Sequence, residues 1–359
     1  MQDQKIRISF LDGIRGASAL FVVLFHAMLF TKSGFHFSDN LFLNVLQKIN
    51  SIGHISVSIF IVLSGFCLAI PVVNNDLLLK KGFIVYIKRR SNRIIFPYYM
   101  ALLFSIILYY IFPILQEPAN TVWDSKIPLT APSVIAHVFL VHNWNVDWIY
   151  KINGAHWSVA TEWQIYFVFP VLLFFWRKFN LITAIFFSLI LTIILYKLVP
   201  FAEPQFILLF FMGVISAYFT FSNSFEINEV QLLPCCLLLF IPMCLAVYYK
   251  FPAKAIYQVF FGLNFAFLLY LLTKIQLNGL SNKLINVLSG KCLGFLGKIS
   301  YSLYLIHGPI LALFNLYLMK YFIISYNNTL MIMCFLVVPF CVLISYGFYY
   351  LIERKFQNN

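Results

Sequence analysis

Charge is what this chain has least of. Asp, Glu, Lys and Arg together make up 10% of its 359 residues, against about 25% in soluble domains. That scarcity excludes an ordinary water-soluble enzyme and a disordered polar chain alike. Strict polar–apolar alternation is also missing, which excludes a membrane-spanning barrel and leaves helices. The seven cysteines (Cys67, Cys235, Cys236, Cys244, Cys292, Cys334 and Cys341) form no Cys-x-x-Cys and no Cys/His ligand spacing. They read as small hydrophobes, and no metal is expected. No small-residue cleavage site follows the first apolar run, so it reads as a retained helix.

What remains is apolar. Hydrophobic residues account for 62% of the chain, with 41 Phe and 21 Tyr. Mean hydropathy is +0.88. The apolar runs are near-continuous over about 20 residues, the length that crosses a bilayer as a helix. Ten spans are expected, at 11–30, 52–73, 95–115, 155–176, 179–199, 205–221, 232–249, 255–273, 298–322 and 329–352. The stretch 134–150, with Asn143, Trp144, Asn145, Asp147 and Trp148, is too polar and reads as an interfacial piece. The expected architecture is one all-α polytopic membrane domain over 1–359, with no separate soluble domain.

The 25 Lys and Arg residues fall mostly on one side of this arrangement. The positive-inside rule then places both termini in the cytoplasm. The loop 222–231 dissents, with Glu226, Glu229 and no base. The formal net charge of +13 is therefore mostly topogenic, and nucleic acid is not an expected partner. Lys80, Lys81, Lys88, Arg89, Arg90 and Arg93 are denser than topology needs. Either this cluster contacts lipid, or it binds a polyanion. Arg90 and Arg93 are three apart and share a helix face, and the arginine fork suits phosphate.

The first span, "LDGIRGASALFVVLFHA", carries Asp12, Arg15 and His26 among its apolar residues. Eleven residues at about 100° each turn the helix roughly 1100°, three turns plus about 20°. Arg15 and His26 therefore share one face, about 16 Å apart along the axis. Charged side chains in a bilayer cost about 2.5 kcal/mol or more, so such a stripe faces inward. In "GAHWSVATEWQIYFVFP", Glu162 lies about ten Å into its span. An unpaired carboxylate there needs a partner. The expectation is that Glu162 faces His26 in a shared polar cavity and raises its basicity for general-base work. Ser64-Gly65 reads as a small-residue helix contact. His307 is expected to pair with backbone groups freed by Pro309. Glu353 is expected either to order the basic cluster or to sit neutrally at the membrane edge.

Taken in order, these segments resemble the acyltransferase-3 family of membrane O-acyltransferases. "FLDGIRGASALFVVLFHA" is similar to its arginine–ten residues–histidine pattern, with Arg15 and His26 in the matching places. "FIVLSGFCLA", "KRRSNRIIFPYY", "HWSVATEWQIYFVFP", "GKISYSLYLIHGPI" and "YYLIERKF" resemble its later elements, which puts Arg90, Arg93 and Glu162 on matching positions. Two departures are local. Pro97 follows Phe96 where many members carry proline earlier, and Lys355 stands where proline is common.

The resemblance implies transfer of an acyl group, commonly acetyl, from cytoplasmic acyl-CoA to a hydroxyl of a carbohydrate-type acceptor. The acceptor would be a cell-envelope polysaccharide, a lipid-linked sugar, peptidoglycan or a secreted metabolite. His26 and Glu162 would serve catalysis, and Arg15, Arg90 and Arg93 would hold the donor. The setting implied is a multi-pass protein in lipid, in a bacterial inner membrane. The rival reading is a transporter of an anionic metabolite or lipid-linked glycan, which ten spans and buried ionisable groups also fit. No inverted repeat of motifs supports it.

Overall fold

The protein is described from a computed structural model covering residues 8–32, 36–222, 254–280 and 282–357. Twelve helices are described: α1 Phe10–Phe30, α2 Leu41–Asn50, α3 Ile55–Val73, α4 Gly82–Ile111, α5 Ala131–Val138, α6 His156–Lys178, α7 Leu181–Leu198, α8 Phe206–Phe221, α9 Lys254–Leu277, α10 Lys283–Leu288, α11 Lys291–Tyr321 and α12 Tyr326–Gln357. Two π-helical turns, Met333–Val337 and Tyr349–Glu353, interrupt α12. No strand occurs among the described residues. Nine helical stretches among them are long and apolar enough to cross a bilayer. The protein is thus an all-α, multi-pass membrane helix bundle. The expected span 232–249 and most of the loop 222–231 lie outside the described residues.

The stretch 134–150 does not span. It holds α5, eight residues long and closed by a Thr130–Ser133 capping box, and a 3₁₀ turn at His142–Trp144. α4 begins well before the expected span 95–115. Its first turns, Gly82 to Ile87, are apolar, and the Lys88, Arg89, Arg90 and Arg93 that follow are good helix formers, so the helix runs through them; Lys80 and Lys81 precede it.

Two close crossings build the core. Where α1 meets α11, a Cβ on Gly297 would lie 2.0 Å from the Asp12 carbonyl oxygen, and one on Gly16 2.4 Å from the Leu293 oxygen. Where α3 meets α8, a Cβ on Gly65 would lie 2.0 Å from the Phe210 oxygen. Without a hydrophobic drive between helices in lipid, this backbone proximity supplies the dispersion contact. The expected small-residue contact at Gly65 is present. α7 stands at the periphery, with Ile182, Phe186, Ile190 and Ile193 exposed, as a lipid-facing helix requires.

Candidate active site

α1 runs past two cavities and places Asp12 and Arg15 in one and His26 in the other. The first, of about 360 Å³, is lined by Asp12, Arg15, Cys67, Arg90, Arg93, Glu162, Tyr166 and Glu353, among others. The second, of about 390 Å³, is lined by His26, His54, Lys126, Asn153, Trp157, Gln258 and His307, among others. Val57 and Tyr304 line both. They form the wall between an arginine cavity and a histidine cavity. The single polar cavity expected along the Arg15–His26 face is therefore divided.

In the arginine cavity, the Arg15 guanidinium donates to Asp12 Oδ1 at 2.8 Å and to Cys67 Sγ at 2.9 Å. Among the described residues, neither Arg90 nor Arg93 forms an ion pair, and Arg90 Nε is buried without a hydrogen-bond partner. The carboxylates nearby are engaged elsewhere. Glu162 Oε1 accepts from the Tyr166 hydroxyl at 2.6 Å, and that hydroxyl lies 3.1 Å from Ser64 Oγ. Glu353, buried, accepts from the Ser302 amide at 3.0 Å, from the Ser302 hydroxyl, and from Gln357 at 2.7 Å. It binds backbone and hydroxyl groups of α11 and forms no close ion pair with the basic cluster among the described residues, although Arg93 is near enough to interact with it electrostatically. Among the described residues, Arg90 and Arg93 have no hydrogen-bond acceptor.

Glu162 does not face His26, contrary to the expectation from sequence. The reason is where α6 begins. Asn153 Nδ2 donates to the Leu305 carbonyl at 2.8 Å, and His156 Nε2 lies 3.2 Å from the same oxygen. The first turn of α6 is thus already at the depth of His307. Six residues further along, a rise of about 9 Å, Glu162 has passed the wall and entered the arginine cavity.

The partner of His26 is His307. Their Nδ1 and Nε2 atoms are 2.8 Å apart, and the rings stack with centroids 5.0 Å apart. His307 is fully buried, and its Nδ1 lies 2.9 Å from the Leu303 carbonyl. A carbonyl only accepts, so His307 Nδ1 carries the proton. With one proton on each ring, His307 Nε2 is then the acceptor and His26 Nδ1 the donor. This leaves His26 Nε2 as the bare lone pair of a half-buried ring lining the cavity. His307 does not bond the carbonyl freed by Pro309. That carbonyl belongs to Leu305, four residues earlier, and Asn153 and His156 take it. Gly308 makes room, since a Cβ there would lie 2.9 Å from Asn153 Oδ1.

The wall is held by one hydrogen bond. The Tyr304 hydroxyl lies 2.6 Å from Ser158 Oγ, and its ring packs edge-on to Phe60 with centroids 5.9 Å apart. A separate group, His137 and His142, stacks at 3.8 Å beneath Tyr98, away from both cavities. Burial pushes His137 down to about 4 and His142 well below the usual imidazole range, so both are neutral packing groups.

A family model described as an acyltransferase domain matches residues 8–349, nearly the whole chain. The chain belongs to the acyltransferase-3 family. It is also similar to "Acyltransferase MdmB" of Streptomyces mycarofaciens, 29% identical over 175 residues. That match covers 48% of this chain and 40% of the relative. No solved structure matches.

In this acyltransferase-3 member, Arg15, Arg90 and Arg93 line one cavity, and His26, expected from sequence to share a cavity with Arg15, lines the other. The sequence reading missed His307 as the partner of His26. The signal was present in "LIHGPI", where the proline marked a broken helix ladder and the glycine an approach. It also missed Tyr304 and Lys126. Tyr304 was one aromatic among many, and Lys126 sat in a loop.

Proposed function

We propose that the protein transfers an acyl group, most simply acetyl, from cytoplasmic acyl-CoA to a hydroxyl of a carbohydrate-type acceptor on the opposite side of the membrane. One observation carries the reading. A single helix, α1, presents a cation to a cavity with unpaired arginines and a histidine base to a second cavity, with a two-residue wall between them.

The donor's phosphates fit the arginine cavity. Arg90 and Arg93 lack carboxylate partners there, and charge-assisted bonds to phosphate are about twice as strong as neutral ones. Arg15, neutralised by Asp12, lies deeper and meets the donor's uncharged arm. That arm crosses the wall at Tyr304 and brings the thioester carbonyl to His26, about 16 Å along α1.

The acceptor hydroxyl enters the histidine cavity. His26 Nε2 takes its proton while the hydroxyl oxygen bonds to the thioester carbon. The carbon–sulfur bond then breaks, and the proton passes to the departing thiolate. His307 holds the His26 ring in the tautomer that leaves Nε2 basic and shares the positive charge that develops. The role resembles that of a carboxylate behind a catalytic histidine, with a backbone carbonyl as the final anchor. Glu162 orients Tyr166 at the edge of the donor cavity and does no proton transfer.

The test uses purified protein in sealed vesicles with labelled acetyl-CoA on one face. Release of free CoA and label on a glycan extract are followed for the native chain and for His26→Ala. Labelling that requires the donor and vanishes in the variant supports the reading. A folded protein that neither binds nor cleaves acetyl-CoA sinks it.

A further inference from the structure

The histidine cavity holds a cation, Lys126, that has no counter-ion among the described residues. Lys126 ends the 3₁₀ turn Val122–Lys126 and is 5% exposed. Its turn is tied down, because the Lys126 carbonyl accepts from the Ile152 amide at 3.1 Å. Its side chain crosses Gly154, where a Cβ would lie 2.6 Å from Lys126 Cε. The ammonium donates to Ser125 Oγ at 2.6 Å and stands 4.9 Å from the centre of the Tyr150 ring. Among the described residues, no carboxylate pairs with it, and no Asp or Glu lines the cavity.

The surroundings add positive charge. The Lys151 ammonium interacts with that of Lys126 and is itself held by the Ile127 carbonyl. The histidine His26 is close enough to Lys126 to interact electrostatically. Asp124, two residues earlier, is occupied by the Ala119 amide and the Thr121 hydroxyl. A buried ion costs several kcal/mol unless it is paired. The arginine cavity, by contrast, contains Asp12, Glu162 and Glu353.

Resting on the acyl-transfer reading, we infer that the acceptor is an anionic molecule, whose carboxylate or phosphate binds Lys126 while its hydroxyl meets His26. The site is a cation, a hydroxyl and an aromatic face around one end of the acceptor, with the base in the same chamber. An aromatic ring under a cation and a flat sugar face suits an acidic sugar or a sugar phosphate.

The experiment uses three probes, methyl glucoside, methyl glucuronoside and methyl glucoside 6-phosphate, on the full-length protein in nanodiscs. Occupancy is read as protection of His26 from diethyl pyrocarbonate, followed by mass spectrometry. Transfer from labelled acetyl-CoA is read separately. At least one charged sugar should protect at concentrations about tenfold lower than the neutral one, as a charge-assisted bond implies. The carboxylate and phosphate arms show which anion is taken. Lys126→Met should remove that difference, and Lys126→Arg should keep it.

Burial and Lys151 push Lys126 down to about 8. The preference should therefore fade in the native protein as pH rises through about 8, but not in Lys126→Arg. Equal protection by charged and neutral sugars, no protection by any, or a preference that survives Lys126→Met overturns the inference. Parallel loss of transfer to all three sugars in Lys126→Met, without a change in protection, also overturns it and assigns Lys126 to the reacting carbonyl. Charge-selective protection without transfer from acetyl-CoA leaves the anion site standing and removes the acyl-transfer reading.

Discussion

The arginine cavity and the histidine cavity are similar in size, about 360 and 390 Å³, yet they are built in opposite ways. The arginine cavity gathers charges of both signs. Each of its carboxylates is committed, Asp12 to Arg15, Glu162 to Tyr166 and Glu353 to Ser302. The histidine cavity has no carboxylate among the described residues that line it and relies on two paired imidazoles anchored on a backbone carbonyl. Both chambers hold a cation, Arg90 and Arg93 in one and Lys126 in the other, but only the second also holds a histidine placed to move a proton. Their separation lets each be tested alone.

The largest effect is expected at the base. His26→Ala should lower transfer by about 10³-fold, within the range for loss of general-base catalysis. Donor binding, measured by equilibrium dialysis with labelled CoA, should be unchanged. A variant that loses donor binding as well would break the distinction between the chambers.

His307 comes next. His307→Ala removes the acceptor for His26 Nδ1 and frees the wrong tautomer, and a fall of about 10²-fold in kcat is expected. The limb of the pH–rate profile assigned to His26 should shift, which simple loss of packing would not cause. Glu162→Gln sharpens the contrast, because it leaves the histidine chamber intact. Its effect should fall on KM for the donor, and a kcat loss as deep as that of His26→Ala would restore Glu162 to the chemistry.

Arg90→Ala and Arg93→Ala should each raise the donor KM by about tenfold, the equivalent of about 1.4 kcal/mol. The effect should be smaller at high salt, with kcat preserved. The smallest effect is expected at the wall. Tyr304→Phe loses one hydrogen bond, worth about 1 kcal/mol of stability. Tyr304→Ala opens the passage, and the ratio of butyryl to acetyl transfer should rise by several-fold. An unchanged ratio would mean that the acyl group does not pass Tyr304.

Much of the site was legible in residues 11–27. The eleven-residue step fixed a shared face for Arg15 and His26 because helical periodicity is local. Glu162 shows the limit of the same reasoning. Its distance from the start of α6 was right, but depth also depends on where the helix begins, and Asn153 and His156 begin it inside the bundle. The helix α4 extended past its apolar run for a local reason, the helix propensity of its basic residues, which a hydropathy reading does not weigh.

The sequence by itself determined the helical class, most spans, the small-residue contact at Gly65, and the placing of an arginine and a histidine on one stripe. These follow from composition and from spacing within single helices. Tertiary structure alone decided that His26 answers to His307, 281 positions away, and that Tyr304 and Val57 divide the interior. It also decided that Lys126 stands in a chamber without a carboxylate. Each of these is a meeting of distant segments. Such meetings are set by how glycine-lined helix faces approach one another, not by the order of residues along any one of them.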